Sequence, residues 1–105
     1  MRFVHLATLS CVITAAPLSG LALAQAQDPN LARNIAASCN GCHGTNGVSQ
    51  GGMPTLAGQS KADLVRKMQD FKSGKTPATI MHQLAKGYTD EQIDLTAGWF
   101  AAQKP

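Results

Sequence analysis

The chain has 105 residues, nine Lys+Arg against six Asp+Glu for a formal charge of +3, three Cys, three His and one Trp. This mild positive balance comes without a basic run or an RNA-type motif, which excludes nucleic-acid binding as a reading of composition. The lysines, at 61, 67, 72, 75, 86 and 104, are scattered over the second half, either as solvated surface or as a ring that steers an acidic partner.

Met1-Arg2 is a short positive start, and Phe3 to Leu23 is mostly apolar, interrupted by His5, Pro17 and Gly20. Ala22-Leu23-Ala24 follows the small-x-small rule for signal-peptidase cleavage, with Ala24-Gln25-Ala26 as the alternative. Residues 1–24 therefore read as an export signal that delivers the protein to an oxidising compartment, the bacterial periplasm. The run is too broken for a membrane span and lacks stop-transfer flanks, so no stable membrane insertion is expected. Cleavage discards Cys11 and leaves a single domain, 25–105, which is 81 of the 105 residues. A domain of that size buries only about 60% of the surface its unfolded chain exposes, so an added core element is expected to stabilise it.

Asp28-Pro29 opens a helix, with Asp as N-cap and Pro at the first helical position. Leu31 and Ile35 recur at i and i+4 beside Ala32 and Ala36, which predicts a helix over 29–40. That helix leads into Cys39-Asn40-Gly41-Cys42-His43, the attachment signature of a c-type haem. On one helical turn, positions i and i+3 share a side, so both thiols can face a haem edge and form thioethers with its vinyl groups. His43 follows at once and offers an imidazole nitrogen to the iron as proximal ligand. A half zinc site is the first rival, but there is no second Cys pair and no His-x₃₋₅-His. A thioredoxin-like dithiol is the second, but it expects a βαβ pattern that is missing. With both remaining cysteines committed to haem, no structural disulfide is available.

From Gly44 to Gly58 the periodicity stops, and five glycines with Pro54 make an irregular loop expected to fold over one haem face. No strand precedes it and no Gly-Lys-Ser/Thr follows, which excludes a phosphate loop. Ser60 with Asp63 caps a helix over 61–73, with Leu64, Met68 and Phe71 on its apolar stripe and Gly74 at its end. Thr76-Pro77 and Gly87 bound a short helical segment containing Met81 and His82. Thr89 and Gln92 form a capping box for the last helix. Ile93, Ala97 and Phe100 mark one apolar face of that helix, and Leu95 and Trp99 a second, so it should touch two neighbours, the haem and the first helix. Gly98 in its interior costs about 1 kcal/mol against Ala, which suggests a close contact there. No strand is expected, and the fold class is all-α.

Three stretches together resemble a class I cytochrome c: Cys39 to Gly44, Met53-Pro-Thr-Leu-Ala-Gly-Gln59, and Met81-His-Gln-Leu-Ala-Lys-Gly-Tyr-Thr-Asp-Glu91. More narrowly, they resemble cytochrome c4 domains and the haem subunit of flavocytochrome c sulfide dehydrogenase. The resemblance implies N- and C-terminal helices that cross, around one covalent haem c. It implies the Pro54 carbonyl as acceptor of the His43 Nδ1–H, and Met81 as the sixth ligand of the iron. Met53, Met68 and His82 are the other candidates; Met68 is already explained by its helix stripe. The chain departs from the pattern in having a single Cys-x-x-Cys-His where many relatives carry two haem domains, and in Gly98-Trp99. The function implied is single-electron transfer, not catalysis. The protein is either a free carrier or the cytochrome subunit of a flavoprotein partner. The alternative is a haem sensor or small peroxidase with an open sixth position.

Overall fold

The computed structural model describes residues 28–105, so the export-signal reading of 1–24, its cleavage sites and Cys11 lie outside the described residues. Leu31, Ile35 and their alanine neighbours form α1 (Leu31–Ala36). The chain then tightens into a 3₁₀ turn at Ala37–Cys39 and resumes as α2 (Asn40–His43). The expected helix over 29–40 therefore starts at Leu31 and its helical path extends to His43. Asp28 explains the late start. Its Oδ1 accepts the Asn30 N–H at 2.8 Å and its carbonyl accepts the Leu31 N–H at 2.9 Å. A turn of this kind holds Pro29 just outside the helix.

Helix α3 (Lys61–Lys72) begins as expected, with Ser60 Oγ accepting the Asp63 N–H at 3.1 Å. It ends at Gly74, whose φ of +80° suits a residue without a Cβ. Helix α4 (Met81–Lys86) starts four residues after Pro77, a correction to the Thr76-Pro77 start. The Thr76 N–H is committed back to the Asp70 carbonyl at 3.1 Å, and a residue before proline is biased away from the helical region. Helix α5 (Asp90–Ala101) carries the complete capping box: Thr89 Oγ1 accepts from the Gln92 N–H at 3.2 Å, and Gln92 Oε1 accepts from the Thr89 N–H at 3.0 Å. The described residues contain no strand.

Helix α5 packs against α1 and against α3, while α4 packs on α3. Of the two neighbours expected for α5, the first helix is in place; α3, which was not expected, is a further one. The core is Ala36, Leu64, Ala97 and Phe100, with Cys39, Leu56, Val65 and Trp99 against it. Phe100 also fastens the 44–58 loop. Its carbonyl accepts the Gly58 N–H at 2.9 Å, and a Cβ at Gly47 would stand 2.6 Å from its ring. Gly47 has φ +78°, so both the angle and the space exclude a side chain there.

The close contact suggested at Gly98 is absent. A Cβ there would meet only the Lys61 stem, at 3.7 Å, which is ordinary van der Waals distance. Lys61 crosses over Gly98 to pair with Asp94 at 2.7 Å. Gly98→Ala should therefore stabilise the fold by about 0.5–1 kcal/mol, the entropy that a helical glycine forfeits. Denaturant unfolding at constant m-value measures it, and a lowered midpoint would contradict the open space seen at this position.

Candidate functional site

The helical path from α1 into α2 carries Cys39 at the end of the 3₁₀ turn and Cys42 and His43 side by side in α2. Both cysteines are free thiols; Cys39 is half-buried and Cys42 exposed. Burial pushes the Cys39 thiol above its ordinary value of 9.0, the Ser38 hydroxyl partly opposes this, and Cys42 adds to the rise. The rise leaves Cys39 with less thiolate than an unperturbed cysteine.

His43 is 9% exposed, a buried polar side chain in a mostly apolar interior. Its Nδ1 lies 2.7 Å from the Pro54 carbonyl. A carbonyl can only accept, so Nδ1 carries the proton and donates it, leaving the lone pair of the neutral ring on Nε2. The ring is thereby oriented and left with one free donor nitrogen.

Two features bring Pro54 back to His43. Gly44 ends α2 at φ +85°, ψ 162°, and a Cβ there would fall 1.9 Å from the Val48 carbonyl oxygen. The loop is then closed by the Gly47 carbonyl, which accepts the Leu56 and Ala57 N–H groups at 2.8 and 3.2 Å. Around Pro54, Thr55 Oγ1 accepts the Ser49 N–H at 3.1 Å. The Gln59 amide donates to the Thr55 carbonyl, and Lys67 Nζ donates to Gln59 Oε1 at 2.7 Å.

Met81 is the first residue of α4 and is half-buried. His82 beside it is also half-buried, and its Nδ1 is enclosed without a hydrogen-bond partner. Met53 is half exposed, at 52%, and Met68 is half-buried on α3. A pair that sequence reasoning missed joins the two segments: Ser38 Oγ and the Tyr88 hydroxyl lie 2.6 Å apart. No spacing rule could have found it, since the two residues stand 50 positions apart on different elements.

Among the described residues, no three His, Cys, Asp or Glu side chains converge as a metal-ion site. The donors fit a macrocyclic iron instead: two free thiols three residues apart, and one imidazole with Nδ1 pinned and Nε2 available. No helix among the described residues is long and apolar enough to cross a membrane.

Residues 30–99 match the sequence profile of the family described as Cytochrome c. The chain is 42% identical over 66 residues to the cytochrome subunit of sulfide dehydrogenase from Chlorobaculum tepidum, covering 63% of this chain and 60% of that protein. It is 39% identical over 88 residues to cytochrome c4 of Pseudomonas aeruginosa, covering 83% of this chain and 43% of the relative. It is 37% identical over 70 residues to the thiosulfate dehydrogenase electron acceptor of Thiomonas intermedia, covering 63% and 32%. The chain thus spans less than two thirds of the length of each of these relatives.

The Gly44 turn yields a direct test. Gly44→Ala requires a backbone conformation that costs about 1–3 kcal/mol for a residue with a Cβ, before the contact with Val48 is relieved. It should lower unfolding stability by at least that amount, while Gly51→Ala, with nothing within 4 Å of its Cβ, should leave it nearly unchanged. Equal effects of the two substitutions on the unfolding midpoint would refute this role of the turn.

Proposed function

The chain belongs to the cytochrome c family, and from that premise we propose that it transfers single electrons outside the cytoplasm through one covalent haem c. Cys39 and Cys42 would hold the haem through thioethers, and His43 Nε2 and the Met81 sulfur would bind its iron. When bound, haem c supplies an iron that exchanges one electron between its ferric and ferrous states. The observation that carries this reading is the His43–Pro54 hydrogen bond, 2.7 Å long, one residue beyond the Cys-x-x-Cys pair.

The residues divide the work. Cys39 and Cys42, once joined to the group, would prevent its loss. Pro54, by accepting the Nδ1 proton, fixes the imidazole plane and raises its basicity as a ligand. A thioether sulfur from Met81 favours the reduced iron more than a second imidazole does, which raises the potential. Residues held in place by the fold, His43 by Pro54 above all, would need to move little when the electron is gained or lost, which would keep reorganisation small. The protein is a carrier or a cytochrome subunit; it performs no bond-making chemistry on a substrate.

Its partners are redox proteins. Relatives named as a subunit of sulfide dehydrogenase and as an acceptor for thiosulfate dehydrogenase support this. A flavoprotein partner is the specific form we favour for a subunit role, since the described residues include no Gly-x-Gly-x-x-Gly that would hold a flavin nucleotide. Gentle isolation from the periplasm decides between the two roles: a stoichiometric flavoprotein in the purified complex would identify a subunit, and a monomeric cytochrome with no companion a free carrier.

The ligand set is tested on purified holoprotein. Intact mass should show one haem that resists acid-acetone extraction. Met81→Ala should abolish the weak long-wavelength sulfur-to-iron band of the oxidised protein, lower the potential and let carbon monoxide bind the reduced form. His82→Ala should do none of these. The opposite pattern would make the iron bis-histidine, and carbon monoxide binding by the unaltered reduced protein would favour a sensor or peroxidase with an open site.

A further inference from the structure

The Ser38–Tyr88 contact links the two segments that carry the proposed ligands. Ser38 precedes Cys39, and its hydroxyl lies 2.9 Å from the Ile35 carbonyl, which can only accept. With the serine proton turned to that carbonyl, the 2.6 Å contact with Tyr88 is a bond that the tyrosine O–H donates to Ser38 Oγ. Tyr88, the one tyrosine of the chain, is also held from behind. Its carbonyl accepts from Lys72 Nζ of α3 at 2.8 Å, and Lys72 is fixed in turn by Asp90 Oδ1 at 3.0 Å. One residue thus joins the turn before Cys39, α3 and the start of α5.

Helix α4 depends on such an anchor. It has six residues and no side-chain cap at Ile80, far below the length at which a helix holds itself together. It packs on α3. Its upstream end is tied by the Thr76 N–H to the Asp70 carbonyl, and its downstream end by Tyr88. Between residues 76–89 and residues 28–47, the described residues show no other hydrogen bond than Tyr88 to Ser38.

We propose that the Tyr88 hydroxyl is a latch: bonded to Ser38, it holds the α4 segment against the haem-attachment turn and sets how often Met81 leaves the iron. This rests on the reading of Met81 as the sixth ligand. Ser38 and Tyr88 are positioning residues that act through Met81. An exogenous ligand must replace Met81 to reach a six-coordinate iron, so its binding rate reports the opening of this segment. Loss of one neutral hydrogen bond in a partly exposed setting should raise that opening about two- to tenfold.

The test uses ferric holoprotein with cyanide as the probe, at fixed pH and salt, alongside amide hydrogen exchange over residues 81–88. Tyr88→Phe keeps the ring and removes the donor, Ser38→Ala removes the acceptor, and the double variant closes the cycle. Each single variant should raise both the cyanide rate and the exchange rate about two- to tenfold, with the amides of α5 unchanged. The double variant should go no further than either single. A faster exchange with an unchanged cyanide rate overturns the latch, and so does a double variant whose effects add. Met81→Ala in the same assay separates the two readings. If it binds cyanide no faster than the unaltered protein, the Met81 assignment fails and the latch with it. If it binds fast while Tyr88→Phe does not, the latch alone is wrong.

Discussion

The hydrogen bond from His43 Nδ1 to the Pro54 carbonyl is the constraint on which the site depends. An imidazole has two nitrogens and a free ring has no preferred orientation, so an unsupported histidine offers iron either nitrogen at many angles. Donation to a backbone carbonyl removes one nitrogen from the competition and sets the plane of the ring. A carbonyl is a durable acceptor because no side-chain substitution deletes it. What substitution can disturb is the path of the loop, and that path is set by Gly44 and Gly47, where a Cβ would collide with Val48 and Phe100 respectively.

The core supports this arrangement with little material. Of the buried apolar side chains, Ala36, Ala57, Ala85 and Ala97 outnumber the larger Leu64, Ile93 and Phe100. Alanines let helices approach closely but remove little area from water, so the protein side chains alone supply a modest hydrophobic stabilisation. Phe100 carries a disproportionate share, because it packs α5 in the core and also meets the loop that returns Pro54. Within the cytochrome reading, the macrocycle adds the apolar mass that a domain of this size lacks. Ion pairs on the surface, such as Arg66 with Asp63 and Asp70, are exposed i,i+3 and i,i+4 contacts of small worth.

Much of this was legible in the residues themselves. Period and caps announced α3 and α5, because a helix boundary is a local matter: Ser60 and Thr89 satisfy N–H groups only a few positions away. The Cys-x-x-Cys-His group was legible for the same reason, since one helical turn suffices to bring its side chains together. The two boundaries misjudged in sequence, at Pro29 and Pro77, are places where a nearby backbone or side-chain bond competed with helix initiation. Asp28 drew the Asn30 N–H into a turn, and Asp70 claimed the Thr76 N–H.

The sequence by itself determined which elements form, their apolar faces and the Cys-x-x-Cys-His signature, all of which follow from contacts within about one helical turn. The resemblance already named the Pro54 carbonyl as the partner of His43; only the tertiary structure decided the distance between them, how Gly44 and Gly47 turn the loop, that nothing but Lys61 lies over Gly98, and that Tyr88 reaches Ser38. Those contacts join residues 11 and 50 positions apart in the cases of His43 with Pro54 and Ser38 with Tyr88. The first is set by the turn of the 44–58 loop at Gly44 and Gly47, the second by how the helices pack, and neither leaves a periodic mark on the residues that hydrogen-bond.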